Sequence, residues 1–381
     1  MVKIKIPFIV LLLLILISIP SFASSEFVCV FTLTNPSATN VAFGNESGTA
    51  NIWDRNPLGV WSNPAKLGYY KGLAYGYLHD KWFDDLNLDI YHNSSYLTFG
   101  WNGIGILVPF INNSKKFGTT LDYGEQIVVD PNGYQIYTFK QYETCSQFAF
   151  GINCLEFADN FFESNQTIYN FQKYFEISLG YSLNYIKSSL PYIMNDSLLY
   201  TEGKEHSQNI GVLIKITPLN INNENIKIDI TSGINIINIF KSNISFKYDN
   251  GDEYKWSMPY GNRAGIAGKI SYINLKNLPD EYPLLSSISN YLFSIYASYD
   301  NAKYGDDNSI WGKGVEFTFL DIFSLRYGKY YDYKGHIVGD CEGWGINLNY
   351  RDILGFQYNY VEYIGELQKT KKKKIYHFVL I

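Results

Sequence analysis

The fold is decided by the stretch Tyr174-Phe-Glu-Ile-Ser-Leu-Gly-Tyr-Ser-Leu-Asn-Tyr-Ile186. Large apolar side chains occupy one parity, from Phe175 to Tyr185, and mostly small or polar ones occupy the other, from Glu176 to Asn184. Because successive side chains of a strand point to opposite faces, this pattern predicts a strand with one apolar and one polar face. The stretch exceeds the usual strand of about 5–6 residues and meets the roughly 9–11 tilted residues that a bilayer-spanning strand requires.

The same pattern recurs along the rest of the chain and predicts roughly a dozen to fourteen strands. Further strands are predicted over 81–91, 96–108, 134–142, 147–153, 210–216, 226–231, 244–248, 265–273, 291–299, 315–319, 325–327, 344–350, 356–360 and 375–381. Polar, turn-rich stretches predict loops at 112–116, 195–208, 249–255 and 299–308, and 156–169 predicts a helix within a loop.

The strands of a membrane β-barrel and of a secreted β-sandwich both alternate between apolar and polar residues. The composition of the polar face therefore has to distinguish the two folds. In 174–186 and 342–350 that face carries Gly, Ser and Asn more than Lys and Glu, as a crowded polar lumen requires. A sandwich surface would be more charged, and a sandwich rarely uses so many strands. The pattern favours the barrel.

The N-terminus has the features of an export signal. Lys3 and Lys5 precede an aliphatic run over 6–19, and Pro20-Ser21-Phe22-Ala23 offers a small-x-small cleavage site. The run is about 14 residues, shorter than the roughly 20 that a spanning helix needs. We therefore expect residues 1–23 to be a cleaved signal peptide, and any later insertion into a membrane to use strands. Together with the alternation, this predicts a location in the bacterial outer membrane.

Composition agrees with a barrel and points away from several other classes. Aromatic residues make up 17% of the chain, with 34 Tyr, and barrels concentrate aromatic rings at both membrane interfaces. A codon bias could raise the Tyr content but would not place Tyr at alternate positions. The net charge of -5 argues against nucleic acid as a partner. Four scattered Cys and five scattered His suggest no disulfide framework, no metal site, no cofactor and no catalytic constellation, so we expect no enzyme.

Residues 24–92 differ in composition from the rest of the mature chain. They are rich in Gly, Asn, Ser and Pro and lack sustained alternation, which predicts compact irregular structure and then a first strand. Asn56-Pro57-Leu58-Gly59 and Asn63-Pro64-Ala65 punctuate this segment, since a residue before Pro is pushed out of the helical region.

Six motifs are spread over nearly the whole mature chain. They are Trp61-Ser-Asn-Pro-Ala-Lys-Leu67, Phe175-Glu-Ile-Ser-Leu-Gly-Tyr-Ser-Leu-Asn-Tyr-Ile-Lys187, Asn209-Ile-Gly-Val-Leu-Ile-Lys-Ile-Thr-Pro218, Met258-Pro-Tyr260 to Ala267, Gly314-Val-Glu-Phe317 to Gly328, and Gly365-Glu-Leu367. Together they resemble the motifs of the FadL-like outer-membrane β-barrels, in particular the PorV/PorQ-like branch. The resemblance implies an all-β, transmembrane antiparallel β-barrel of about 14 strands, with an N-terminal plug (hatch) segment and the first strand in 24–92 and the rest of the transmembrane barrel in 93–381.

The resemblance also implies a function. The chain would be a channel for hydrophobic, fatty-acid-like molecules, surrounded by outer-membrane lipid and gated by the plug, with Trp61, Asn63, Pro64 and Ala65 as the gating candidates. A rigid turn that pins the plug to the wall is the structural alternative for Asn63-Pro64-Ala65. Two alternatives to transport stay open, namely a PorV-like barrel that binds secretion-system proteins and a structural barrel without transport.

Overall fold

The structure is a computed structural model that describes residues 27–44, 47–82, 90–129, 132–161, 172, 174–194, 197–221, 225–275, 289–305, 309–332, 337–350, 354–365 and 373–380. The expected signal peptide, residues 1–23, lies outside the described residues. Within the described part of the chain, no helix is both long and apolar enough to cross a membrane.

Antiparallel strands form one large sheet that closes on itself. They are β1 (Gly72–Trp82), β2 (Ile90–Trp101), β3 (Ile104–Pro109), β4 (Gly118–Val129), β5 (Gln135–Asn153), β6 (Phe175–Met194), β7 (Ser197–Ile221), β8 (Ile226–Ile237), β11 (Gly261–Asn274), β12 (Tyr291–Tyr304), β13 (Ile310–Phe319), β14 (Phe323–Asp332), β15 (Ile337–Tyr350), β16 (Leu354–Gly365) and β17 (Lys373–Leu380). The last of these pairs with β1, and β1 pairs with β2, so the sheet is a barrel.

Two short strands share one position in the barrel wall. Between β2 and β5, β3 covers one half of the height and β4 covers the other. The chain leaves the wall between them, where Ile111 forms a bridge with Phe117. Counting this pair once, the barrel has 14 strand positions, which confirms the predicted all-β, antiparallel barrel of about 14 strands.

The polarity of the wall is the inverse of that of a water-soluble protein. On β6, Leu179 and Tyr181 are 45% and 40% exposed on the outer face, whereas Ser178 and Ser182 are fully buried on the inner face. Exposed apolar side chains continue around the barrel at Phe99, Phe150, Ile210, Ile230, Ile266, Ile295, Val315, Phe317, Leu325, Leu348 and Phe356. Buried polar side chains continue inside it at Ser94, Thr119, Asn209, Asn235, Arg263, Ser294, Asp300, Thr318, Arg326 and Asn359. A sandwich would bury its apolar face, so the sandwich alternative is wrong.

The N-terminal segment, residues 27–44 and 47–71, lies inside the barrel. It contains 3₁₀ helices at Val30–Leu33, Pro57–Ser62 and Pro64–Tyr69 and the short helix α1 (Ala38–Ala42). Its side chains are mostly buried, and it contacts strands on opposite sides of the wall, such as β6 through Ala65 and β15 through Ala42.

The two ends of the barrel differ. At one end, β1 begins and β17 ends, and we call this the terminal end. At the other end, which we call the hairpin end, a two-stranded hairpin of β9 (Asn243–Lys247) and β10 (Glu253–Ser257) joins β8 to β11. Ile244 and Phe246 of the hairpin are buried against Gly203 of β7, so the hairpin folds back over the barrel.

Several predicted boundaries are corrected. The first strand is β1, at Gly72–Trp82, and the stretch predicted as the first strand, 81–91, divides between the ends of β1 and β2, with 83–89 outside the described residues. The predicted strands 134–142 and 147–153 are one strand, β5, and the predicted loop 195–208 belongs almost wholly to β7. The predicted loop helix is α2 (Cys154–Phe161), and 162–171 lie outside the described residues.

Candidate functional site: the N-terminal segment and two lumen cavities

A row of glycines in neighbouring strands gives the N-terminal segment room to lie directly against the wall. The register pairs each glycine with the next across five strands: Gly100 of β2, Gly105 of β3, Gly151 of β5, Gly180 of β6 and Gly211 of β7. We call these five residues the glycine row. A Cβ atom on Gly180 would lie 2.2 Å from the backbone nitrogen of Ala65, closer than real Cβ contacts allow. These positions therefore require glycine for close backbone approach.

Asn63 joins the N-terminal segment to two strands at once. Its side chain is fully buried, and Nδ2 lies within hydrogen-bonding distance of the carbonyl oxygens of Thr49 (3.0 Å), Val212 (3.2 Å) and Ile234 (3.3 Å). Its Oδ1 accepts from the backbone N–H of Ala65 at 3.0 Å, which caps the 3₁₀ helix at Pro64–Tyr69.

Pro64 and Ala65 continue the same contact. Pro64 is the first residue of the 3₁₀ helix, where its missing N–H costs nothing. The carbonyl of Ala65 accepts a 2.6 Å hydrogen bond from Ser178 Oγ of β6. The structure thus places three of the predicted gating candidates together at the glycine row.

Trp61, the fourth candidate, lies close in sequence but makes a different contact. Its side chain is 7% exposed, and its carbonyl oxygen lies 3.5 Å from Arg263 Nη1 of β11. Arg263 is almost completely buried and also donates to Leu33 O at 3.1 Å and to Tyr304 Oη at 2.6 Å. This arginine links two distant parts of the N-terminal segment to the wall.

A buried pair of opposite charges lies within the segment. Asp54 accepts from Asn56 N at 3.2 Å and from Ser37 Oγ at 3.4 Å, and Lys66 Nζ donates to Gly59 O at 3.1 Å. Burial raises the pKa of the Asp54 carboxyl, with Lys66 opposing this. Burial also lowers the pKa of Lys66 from 10.5 to about 8, against the opposing charges of Asp54 and Asp300. Both charged forms are thus disfavoured by loss of water.

An apolar cavity of about 330 Å³ lies toward the hairpin end. Its apolar lining comes from the N-terminal segment, the wall and the hairpin: Val28, Val30, Phe31, Ile90, Leu121, Leu190 and Phe246. Polar side chains also line it, namely Thr34, Tyr123, Ser188 and Glu143, and Glu143 is the one with an ionisable carboxyl group. Glu143 of β5 is 6% exposed, and its carboxylate accepts from Tyr123 Oη at 2.8 Å and Ser188 Oγ at 3.1 Å. We call this cavity the apolar pocket.

A second cavity, of about 800 Å³, opens toward the terminal end and is lined by charged side chains. Ion pairs on the wall include Lys215 Nζ with Glu176 Oε1 at 2.6 Å, and Arg326 Nε with Glu316 Oε2 at 2.6 Å. We call it the polar chamber. The N-terminal segment contributes to both cavities, through Val28 to Phe31 in the pocket and through Trp53 to Arg55 in the chamber.

Sequence reasoning found the Asn-Pro-Ala turn but missed two features. In the sequence, nothing links the five glycines to one another, whereas the structure brings them together in the glycine row, where they admit the N-terminal segment. Nothing in the sequence sets Glu143 apart, because its neighbours of the same strand parity, such as Gln147 and Asn153, are partly polar themselves. All four cysteines are free thiols.

The fold and site define a closed 14-position β-barrel with an apolar exterior, an occupied interior and one apolar cavity bounded by wall, hairpin and N-terminal segment. No protein-family model and no curated protein matches the sequence.

Solved barrel structures are similar at low identity. The toluene transporter TodX of Pseudomonas putida is 7% identical with a TM-score of 0.41, over 95% of this chain and 98% of that one. The toluene transporter TbuX of Ralstonia pickettii is 10% identical with a TM-score of 0.40, over 92% and 99%. A FadL homologue of Pseudomonas aeruginosa is 8% identical with a TM-score of 0.38, over 95% and 98%. Similarity at this level does not bear on what this chain carries.

Proposed function

We propose that this chain is a channel for hydrophobic small molecules in the bacterial outer membrane and that its N-terminal segment is the plug that gates it. The observation that carries the proposal is the apolar pocket. Leu121 and Leu190 of the wall face Phe31 of the segment and Phe246 of the hairpin around a space of about 330 Å³. Concave, mostly apolar cavities with a few polar groups are the usual form of small-molecule sites.

The exterior supports the location. Side chains such as Leu179, Ile230 and Val315 expose apolar surface around the barrel, and a closed barrel pairs all its backbone groups, as the lipid interior requires. Since bacterial barrels have short periplasmic turns and longer outer loops, the hairpin end would face the exterior and the terminal end the periplasm. Residues 1–23 would be the export signal, 24–92 the plug and first strand, and 93–381 the rest of the barrel.

Gating is proposed for the Asn63-Pro64-Ala65 turn, with Trp61 beside it. Displacing this turn from the glycine row breaks a small set of hydrogen bonds, centred on Asn63 and Ser178. Such a contact suits a movable plug, because each neutral hydrogen bond contributes only about 0.5–1.5 kcal/mol net.

Uptake of labelled ethylbenzene by cells that express the chain tests the channel. Leu121→Trp fills the pocket and should reduce uptake to that of cells without the protein. Val315→Trp adds the same side chain on the outer face, where Val315 is 50% exposed, and should leave uptake unchanged. Electrophoresis of boiled and unboiled samples verifies that both variants form barrels. Wild-type uptake by Leu121→Trp would exclude the pocket as the route.

A second candidate function, a barrel that binds secretion-system proteins, is favoured by one observation. The hairpin exposes Tyr254 and Trp256 at 52% and 43%, and nearby Phe240 is 69% exposed. Exposed aromatic side chains are common binding anchors. A double variant, Tyr254→Ser with Trp256→Ser, should then lose co-purified secretion subunits while uptake persists. Loss of uptake with no change in co-purification would contradict this role.

A further inference from the structure

The chemistry of the apolar pocket narrows the class of ligand. This inference rests on the proposed channel function and concerns which hydrophobic molecules the pocket accepts. We infer that Glu143 makes the pocket selective for neutral hydrophobic molecules that carry a hydroxyl group, such as phenols and aliphatic alcohols, and that it excludes fatty-acid anions.

The first step is the position of the carboxylate. Glu143 and Ser188 are directly paired across β5 and β6, and both line the pocket together with Tyr123 of β4. The remaining wall and hairpin lining is aliphatic or aromatic, including Ile90, Leu121, Leu190 and Phe246. A ligand in this space therefore has one strong polar group to meet.

The second step is the hydrogen-bonding capacity that remains. Tyr123 Oη bonds Oε2, Ser188 Oγ bonds Oε1, and the thiol of Cys29 also bonds the carboxylate, so it has three donors. A carboxylate offers about four lone-pair sites, so it can accept from a ligand as well. A hydroxyl donor would gain a charge-assisted hydrogen bond, which is stronger than a neutral one.

The third step is the sign of the charge. Among the described residues that line the pocket, Glu143 is the one carboxylate, and none is a lysine or an arginine. Cys29, which also contacts Glu143, adds no positive charge, and burial together with the Glu143 charge raises the pKa of its thiol well above the usual range. A fatty-acid anion would bring a second negative charge beside the first with no cation to compensate, and like charges in a desolvated site repel strongly.

The experiment compares three probes of similar size: ethylbenzene, 4-ethylphenol and 4-ethylbenzoate. Binding is measured by calorimetry at pH 7.5 on the full chain in lipid nanodiscs, with heats from empty nanodiscs subtracted. We expect 4-ethylphenol to bind about tenfold more tightly than ethylbenzene, the equivalent of one charge-assisted hydrogen bond. We expect 4-ethylbenzoate to bind at least about tenfold more weakly than ethylbenzene.

Variants assign the selectivity to one residue. Glu143→Gln keeps the shape and removes the charge, so the rejection of 4-ethylbenzoate should fall by about tenfold and the advantage of 4-ethylphenol should shrink. Glu176→Gln is a matched change in the polar chamber. It should alter neither the affinity of 4-ethylphenol relative to ethylbenzene nor that of 4-ethylbenzoate relative to ethylbenzene. Tyr123→Phe removes one donor from Glu143 and should keep 4-ethylbenzoate excluded, which provides a test if Glu143→Gln fails to form a barrel.

The outcomes separate the two proposals. If ethylbenzene and 4-ethylphenol both fail to bind, the channel function fails and this inference fails with it. If ethylbenzene binds but wild-type protein binds 4-ethylbenzoate as tightly as 4-ethylphenol, only the inference about Glu143 is overturned. The inference about Glu143 would also be overturned if Glu143→Gln left the relative affinities for the three probes unchanged. Tight binding of 4-ethylbenzoate by Tyr123→Phe would overturn it as well.

Discussion

The apolar pocket and the polar chamber are two cavities of one barrel, bounded by the same N-terminal segment, yet their chemistry is opposite. The pocket has aliphatic and aromatic walls with one carboxylate, and the chamber has ion pairs such as Lys215 with Glu176. A hydrophobic molecule gains free energy on entering the first cavity and gains little on entering the second.

Because the two cavities differ in polarity, the contact between the N-terminal segment and the barrel wall must be closely packed. Water and ions from the chamber would weaken an apolar site, so the contact between the N-terminal segment and the wall has to separate the two cavities. Along β2 to β7, that contact is made of backbone against backbone at the glycine row, with Asn63 and Ser178 as hydrogen-bonding side chains. The quality of this seal can be measured as ion leak through the protein in planar bilayers.

The largest effect is expected from Gly180→Ala, which attacks the seal directly. The new Cβ would lie 2.2 Å from Ala65 N and 2.3 Å from the Pro64 carbonyl carbon, both backbone atoms. We expect a cost of about 3 kcal/mol to the docking of the N-terminal segment and a leak well above that of wild-type. Gly268→Ala is the control, because its nearest neighbour would be 3.8 Å away. If the ion leak of Gly180→Ala in planar bilayers is as low as that of wild-type protein, the glycine row does not form the seal.

Asn63→Ala should have the next largest effect. The change removes a side chain that bonds Val212 O, Ile234 O and Thr49 O and caps the adjoining 3₁₀ helix, at a cost of about 2 kcal/mol. Asn63→Asp keeps the cap but places a carboxylate oxygen against the three carbonyl oxygens. Its ion leak should therefore be at least as large as that of Asn63→Ala. If both variants lower the melting temperature without any leak, Asn63 is a rigid turn and not part of a gate.

The sequence predicted the strands where a lipid-facing side made the period of two visible, as in 174–186. It failed at 197–208, where Glu202 and Lys204 indicated a loop. There β7 pairs with β6 through contacts such as the 2.7 Å ion pair of Lys187 with Glu202, in a part of the wall exposed to water. Without lipid on one side, a strand need not alternate between apolar and polar residues.

The site was harder to predict than the fold, because most of its contacts depend on which residues pair between neighbouring strands. Asn63-Pro64-Ala65 is visible because proline restricts the residue before it. The glycine row becomes visible only once Gly151 is known to pair with Gly180 and Gly180 with Gly211, and that pairing depends on the closed sheet. The role proposed for Glu143 depends on its hydrogen bonds with Tyr123 and Ser188, which lie on two other strands.

The seal should also respond to pH through Asp54 and Lys66. The pKa of buried Lys66 is about 8 instead of 10.5, so between these values the docked segment holds fewer protons than the displaced one. Raising the pH through this window should therefore strengthen docking and reduce the leak. The pKa of Asp54 is raised by burial, so at lower pH the sign reverses and docking weakens as the pH rises. Lys66→Met should abolish the alkaline change, and Asp54→Asn the acidic one. A leak that is independent of pH in wild-type protein would show that neither charge is coupled to docking.

The smallest effect is expected from Ser178→Ala, which removes the 2.6 Å hydrogen bond to Ala65 O and a 3.0 Å one to Ile152 O and leaves the glycine row intact. The expected cost is about 1 kcal/mol, enough to make brief openings of the seal more frequent without a steady leak. Ser294→Ala is the matched control, since Ser294 Oγ bonds Ser271 Oγ, a partner in the wall and not in the N-terminal segment. Both variants should lose similar stability, but only Ser178→Ala should raise the rate of protease cleavage within residues 56–71. Equal cleavage rates in the two variants would mean that docking depends on the close fit at the glycines and not on the hydrogen bond to Ala65 O.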